Sequence, residues 1–312
     1  MPPAFAAVLY ALCSALLLGA AFLVWLKDPR TGANRAFALT ALALLAWLLT
    51  LLAFNRTQDP GTALLVGRLN FAAVAPAAFT AYLFVRAVAG LPKPRAYPVL
   101  AAGTALLALL STLTPLIDAA EQVGDGVTGR HMTVYGPLWP LYLLHVAGLL
   151  LAAVSLAFHA RRDAPPPQRD QLGLVGAGML ATGTVALVAN ALLPYAAGDF
   201  RFIDAGPLST VLFLAAVAYA VVRHRLFDVR VFVRRTLVAS LLLSFVLAAY
   251  GAVVALATER FAGPGQGALT RFGVLFIAAA FDPLRRFLER RVDDLLSAPP
   301  RRRRQARARH TA

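Results

Sequence analysis

The stretch AFALTALALLAWLLTLLAF, residues 36–54, carries no charge, no glycine and no proline over 19 residues. An α-helix needs roughly 20 apolar residues to cross the hydrocarbon core of a bilayer. Inside that core every backbone N–H and C=O must be satisfied within the segment, so this run predicts a transmembrane helix. Eight further runs read the same way: 5–26, 63–89, 97–117, 138–160, 172–196, 206–222, 237–258 and 268–280. The last is the shortest and has Arg271 near its start. The first exceeds a signal-peptide core, lacks a basic leader and shows no small-x-small cleavage site. The expected fold class is therefore all-α, a polytopic membrane helix bundle.

The whole-chain numbers agree. Of 312 residues, 59% are hydrophobic and 14% charged, and the mean hydropathy is +0.68. A soluble domain is nearer half apolar and a quarter charged. This composition excludes a disordered chain, a disulfide scaffold and an ordinary cytosolic enzyme. A single cysteine, Cys13, permits no intrachain disulfide and no cysteine-based metal cluster. The net charge of +15 has no aromatic interleaving or basic fold beside it, so it points to topology and anionic lipid and not to nucleic acid.

Charge sets the orientation. With the N-terminus outside, 24 basic residues fall on the inner side, from Lys27 to Arg309. Six fall outside: Arg56, Arg68, Arg130, Arg201, Arg260 and Arg271. The positive-inside rule then predicts an N-terminus outside, nine spans and a cytoplasmic C-terminus. The longest outer loop, 118–137, holds Asp118, Glu121, Asp125, Arg130 and His131, and is too small for a ligand-binding domain.

Polar groups within spans mark candidate sites, because burying them in lipid is costly. Arg68, Asn70 and Asn190 are such groups, and Asp204 lies near the same outer face. These four are the candidate ligand-binding residues, with an Arg68–Asp204 ion pair geometrically open to them. Arg68 can also simply snorkel to the surface, and Asn190 can serve helix packing alone. His145 in the fifth span has no second histidine or carboxylate at a helical offset, so no metal site is expected. No carboxylate sits clearly mid-membrane, and no catalytic motif or phosphate-binding loop is present. No catalytic residue and no cofactor is expected.

Toward the C-terminus, Leu284, Phe287, Leu288, Val292, Leu295 and Leu296 share one face of a helix that Pro283 opens and Pro299-Pro300 closes. Such a helix either pairs with a second copy or lies on the inner leaflet. Arg301, Arg302, Arg303 and Arg304 begin a basic tail suited to anionic lipid.

The order of weak motifs resembles the N-terminal seven-helix sensory region of bacterial membrane histidine kinases. The matching stretches are Asn34-Arg35-Ala36-Phe37 with Trp47, Arg68-Leu69 with Pro76, and Gly136-Pro137-Leu138 with Tyr142. Asn190, Asp204 to Pro207 and the hinge Arg223-His224-Arg225-Leu226-Phe227-Asp228 follow. The resemblance implies a seven-helix membrane sensory domain over 1–228. A basic hinge with two further spans over 229–281 and a cytoplasmic amphipathic helix with its arginine-rich tail over 282–312 complete the division. Phe281-Asp282-Pro283-Leu284-Arg285 looks like the linker that in relatives leads into an output domain. Neither a phospho-acceptor helix nor an ATP-binding domain follows it here, so the expectation is a non-enzymatic membrane sensor in the inner membrane. It would signal through a homodimer or a separate cytoplasmic partner. A small transporter or permease component is the alternative reading.

Overall fold

The computed structural model describes residues 3–57, 59–123, 131–224 and residue 286. Its elements run α1 (Pro3–Lys27), α2 (Gly32–Phe54), α3 (Pro60–Val88), α4 (Tyr97–Leu113), β1 (Asp118–Val123), β2 (His131–Tyr135), α5 (Trp139–Asp163) and α6 (Pro166–Leu187). A π-helical turn, Val188–Leu192, then joins α6 to the short α7 (Leu193–Ala197), and α8 (Ala205–His224) follows. Helices α1, α2, α3, α5 and the continuous rod Pro166–Ala197 are long and apolar enough to cross a membrane, while α4 and α8 are shorter apolar helices. These correspond to the first seven expected spans. The last two spans, the C-terminal amphipathic helix and Arg301 to Arg304 lie outside the described residues, apart from the helical, exposed Arg286.

Local chemistry sets the boundaries. Asp59 caps α3 by accepting from Thr62 N at 2.7 Å, with Pro60 in the first turn. Before α2, Asp28 accepts from Arg30 N at 2.9 Å and Thr31 Oγ1 at 2.6 Å, which shapes the tight connection from α1. The fourth span is expected to reach residue 117, but α4 ends at Leu113. Pro115 holds Thr114 extended, at φ −134° and ψ 158°, and this breaks the helix. The rod after α6 ends at Gly198, whose φ of 61° is the left-handed conformation that a helix C-terminus favours.

The loop 118–137 is the main departure from an all-helical chain. It forms an antiparallel hairpin with Glu121 opposite Thr133 and Val123 opposite His131, with an irregularity between Asp118 and Ala120. The hairpin is pinned at its base, where Gly136 N donates to Ile117 O at 2.9 Å and Leu138 N to Leu116 O at 2.8 Å. A Cβ on Gly136 would lie 2.3 Å from Pro115 O, so this close approach requires glycine.

The two ends of the bundle are packed differently. At the end carrying Arg35, Arg86 and Arg161, Phe37, Phe84 and Phe213 form a ring cluster with centroids 5.4–6.3 Å apart. Leu17, Leu172, Val175 and Val217 pack around it, all buried. Small residues let helices approach closely there, with Gly176 of α6 on Ala157 of α5 and Gly178 of α6 on Ala216 of α8. Farther along the same seam, Thr182 Oγ1 donates to Ser209 O at 2.9 Å. At the hairpin end, Phe79, Leu107, Ile117, Trp139, Tyr142 and Val146 form a second core, and beside it the packing is incomplete.

Candidate functional site

Between the two cores lies a cavity of about 130 Å³. Its wall is mostly apolar, including Leu44, Phe71, Val74, Ala78, Val146, Met179 and Phe213. Asn70, Thr133, Thr182 and Asn190 are among its polar residues. The volume is close to that of engineered cavities of about 150 Å³ that stay dry and bind benzene.

The two asparagines are held differently. Asn70 Nδ2 donates to Trp47 O at 3.0 Å and to Thr50 Oγ1 at 2.9 Å, tying α3 to α2. Asn190 sits in the π turn, a local irregularity that often marks a functional position. Its Nδ2 donates to Ile203 O at 2.7 Å, across to the chain leading into α8. Its Oδ1 is buried against Gly206 and has no hydrogen-bond partner among the described residues.

An aromatic stack closes the hairpin end of the cavity. Tyr135 stacks on Trp139 at 4.4 Å, and Trp139 on Tyr142 at 5.5 Å. Phe71 meets Trp139 edge-on at 5.1 Å. Tyr142 OH is satisfied by Phe71 O at 2.6 Å. Trp139 is 2% exposed, yet its indole N–H has no partner among the described residues. A buried donor of this kind normally finds an acceptor, so Trp139 and Asn190, which both line the cavity, each carry one buried polar atom left unsatisfied among the described residues.

Arg68 and Asp204 are not on the cavity wall. Arg68 Nε donates to Asp118 O at 3.1 Å, so the arginine turns to the hairpin. Asp204 accepts from Tyr10 OH at 2.8 Å and from Asn55 Nδ2 at 2.7 Å, fastening the start of α8 to α1 and to the end of α2. The ion pair open to these two on sequence grounds is not the arrangement formed. His145, the lone mid-span histidine, has Nε2 2.9 Å from Thr104 Oγ1. Among the described residues no three His, Cys, Asp or Glu side chains converge as metal ligands.

The sequence alone marks Asp118 and Glu121 as loop carboxylates and nothing more. Both are turned inward, Asp118 completely. Loss of water pushes the Asp118 carboxyl up to about 7, against the opposing pull of Arg68. Glu121 rises to about 8, first through burial and then through the charge of Asp118, with the Thr133 hydrogen bond opposing. Burial and these two carboxylates also raise the Tyr135 phenol. The strand-like alternation of His131-Met132-Thr133-Val134-Tyr135 after Gly124-Asp125-Gly126 signals the hairpin, though not the burial of its two carboxylates.

Among curated proteins, none matches the chain. The family model of the N-terminal 7TM region of histidine kinase matches residues 9–230, from the first turns of α1 to beyond the end of α8. Seven apolar helices in that order, over most of the chain, place it in the family of N-terminal 7TM regions of histidine kinases.

Proposed function

We propose that the seven-helix block is a receptor for a small, mainly apolar molecule carrying one or two hydrogen-bonding groups, bound in the cavity between Asn70, Trp139 and Asn190. The observation that carries this reading is a cavity of about 130 Å³ whose lining includes Trp139 and Asn190, residues that each hold one buried polar atom without a partner among the described residues. Apolar walls supply affinity and a few polar groups supply orientation. The family is a membrane input region, which supports reading the cavity as sensory. In this reading the N-terminus is outside, the C-terminus is cytoplasmic and the hairpin faces outward, as the 24-to-6 distribution of basic residues supports. Signal passes through α8 and the basic hinge to a second copy or a cytoplasmic partner. The chain itself performs no phosphoryl transfer.

Benzene and phenol binding to the purified chain in lipid nanodiscs tests the cavity. Saturable binding that Ala78→Leu abolishes is the expected result, and phenol should bind more tightly than benzene. No saturable binding of either, or binding unaffected by Ala78→Leu, refutes it. A reporter fused after Ala312 should report cytoplasm, and a periplasmic signal there overturns the orientation. Labelled phosphate incorporated from ATP by the pure chain would overturn the absence of phosphoryl transfer.

A further inference from the structure

Strand β1 of the hairpin holds two acidic groups, Asp118 and Glu121, that do not line the cavity. Asp118 is 0% exposed, and neither carboxylate oxygen has a hydrogen-bond partner among the described residues. Glu121 Oε2 is buried and equally unpartnered, while Oε1 accepts from Thr133 Oγ1 at 2.9 Å. The two side chains meet over Gly67 of α3, where a Cβ would lie 2.8 Å from Glu121 Oε1 and 2.9 Å from Asp118 Oδ2.

The groups facing this pair are few. Helix α3 contributes Arg68, whose Nε is bonded to the Asp118 carbonyl and whose charge favours an ionised Asp118. Strand β2 contributes Thr133 and the Tyr135 phenol, whose own ionisation both carboxylates oppose. His131 stands at the far end of the ladder, opposite Val123. Among the described residues that face the pair, one cation stands against two carboxylates, and three of the four carboxylate oxygens are buried without a partner. Two carboxylates sharing such a site cannot both ionise without a large penalty. A proton satisfies them, because a carboxylic acid becomes a donor to its neighbour.

We propose that Asp118 and Glu121 form an external proton-binding site whose occupancy holds the hairpin docked on α3. This deepens the receptor reading and rests on it, by naming the proton as a stimulus at the mouth of the same cavity. The link is direct, since Thr133 and Tyr135 belong to the hairpin and also line the cavity. Tyr135 in turn stacks on Trp139 at the start of α5. Undocking removes part of the cavity wall and frees the indole.

The sign follows from proton counting. Once undocked and hydrated, the two groups return toward ordinary values of 3.8 and 4.5. Between those values and the docked ones, about 7 and about 8, the docked state holds more protons. Docking is therefore fully favoured in acid and is lost as pH rises through the docked values. Protons enter from the outer solution and return to it.

The test uses the full chain in nanodiscs, in a Cys13→Ala background, with nitroxide labels at Gln122→Cys and Leu65→Cys. The distance between labels should lengthen in one transition as pH rises from 5 to 9. Asp118→Asn with Glu121→Gln should abolish the transition. Thr133→Val, which removes a bond that favours the charged Glu121, should raise its midpoint. A wild-type distance unchanged across this range overturns the proposal without recourse to any variant. So does a transition that survives the double substitution, or one abolished by His131→Gln. Phenol binding in the same samples separates the two readings. Intact binding with a pH-invariant distance removes the proton site and leaves the receptor.

Discussion

Gly67→Ala puts the contact between hairpin and helix to a direct energetic test. Gly67 lies inside α3 and is buried. Helix propensity alone favours alanine there by about 1 kcal/mol. The added methyl, however, would meet Asp118 Oδ2 at 2.9 Å and Glu121 Oε1 at 2.8 Å, with Phe54 Cε2 at 3.5 Å on a third side. Glu121 can pivot away only by releasing Thr133, a loss of about 0.5–1.5 kcal/mol. Asp118 has a short side chain and no room to yield, and overpacking of this kind costs about 1–3 kcal/mol. The net expectation is a destabilisation of about 1–3 kcal/mol. Gly148→Ala is the matched control, because a Cβ there meets nothing within 4 Å. Propensity should then stabilise that variant by about 0.5–1 kcal/mol. Unfolding in mixed micelles, followed by near-ultraviolet circular dichroism, measures both. A Gly67→Ala chain as stable as Gly148→Ala would refute the packing assigned to the two carboxylates.

Three further outcomes follow from the same geometry. Tyr10→Phe removes the donor to Asp204 and should destabilise the chain by about 1.5–3 kcal/mol, read as a lowered midpoint in the same unfolding assay. Gly178→Ala sets a methyl 2.6 Å from Ala216 Cβ and should separate α6 from α8 at a cost of about 1–3 kcal/mol. Ala216→Gly should restore the loss in a double-mutant cycle, and a lack of rescue would show that the two sites do not touch. Asp199, held down to about 2 first by hydrogen bonds from Arg201, should stay ionised until pH falls through that value. Carboxyl carbon resonances of an Arg201→Gln chain should titrate nearer the ordinary 3.8.

The seven helices were legible because a span is a statement about length and polarity alone, and residues 36–54 satisfy it without ambiguity. Asn70 and Asn190 were legible for the same reason, since an amide in an apolar run stands out whatever the packing. Depth in the membrane can be counted along a chain, but the direction a side chain takes around a helix cannot. Arg68 and Asp204 fall near the same end of their spans in the sequence, yet Arg68 turns to Asp118 and Asp204 to Tyr10 and Asn55. The hairpin was hidden further. Its strands are 6 and 5 residues long, and the burial of Asp118 depends on a glycine 51 positions earlier leaving space on α3. No local pattern carries that information.

The contrast between the two ends of the bundle bears on how occupancy could be transmitted. The end with Phe37, Phe84 and Phe213 is closed by ring contacts and by glycines set against alanines. The other end holds a void, a π turn and unpartnered polar atoms. Filling a void recovers roughly 24 cal/mol per Å³, which for about 130 Å³ comes to about 3 kcal/mol. Every 1.4 kcal/mol is a factor of ten, so an occupant that fits only one arrangement of α5 and the π turn shifts their equilibrium about 100-fold. Asn190 stands at the junction with α8, because its amide joins the π turn to Ile203, one residue before the Asp204 that anchors α8. The hydrogen bond thereby links the π turn to the start of α8, the helix that precedes the basic stretch Arg223 to Arg235 in the sequence.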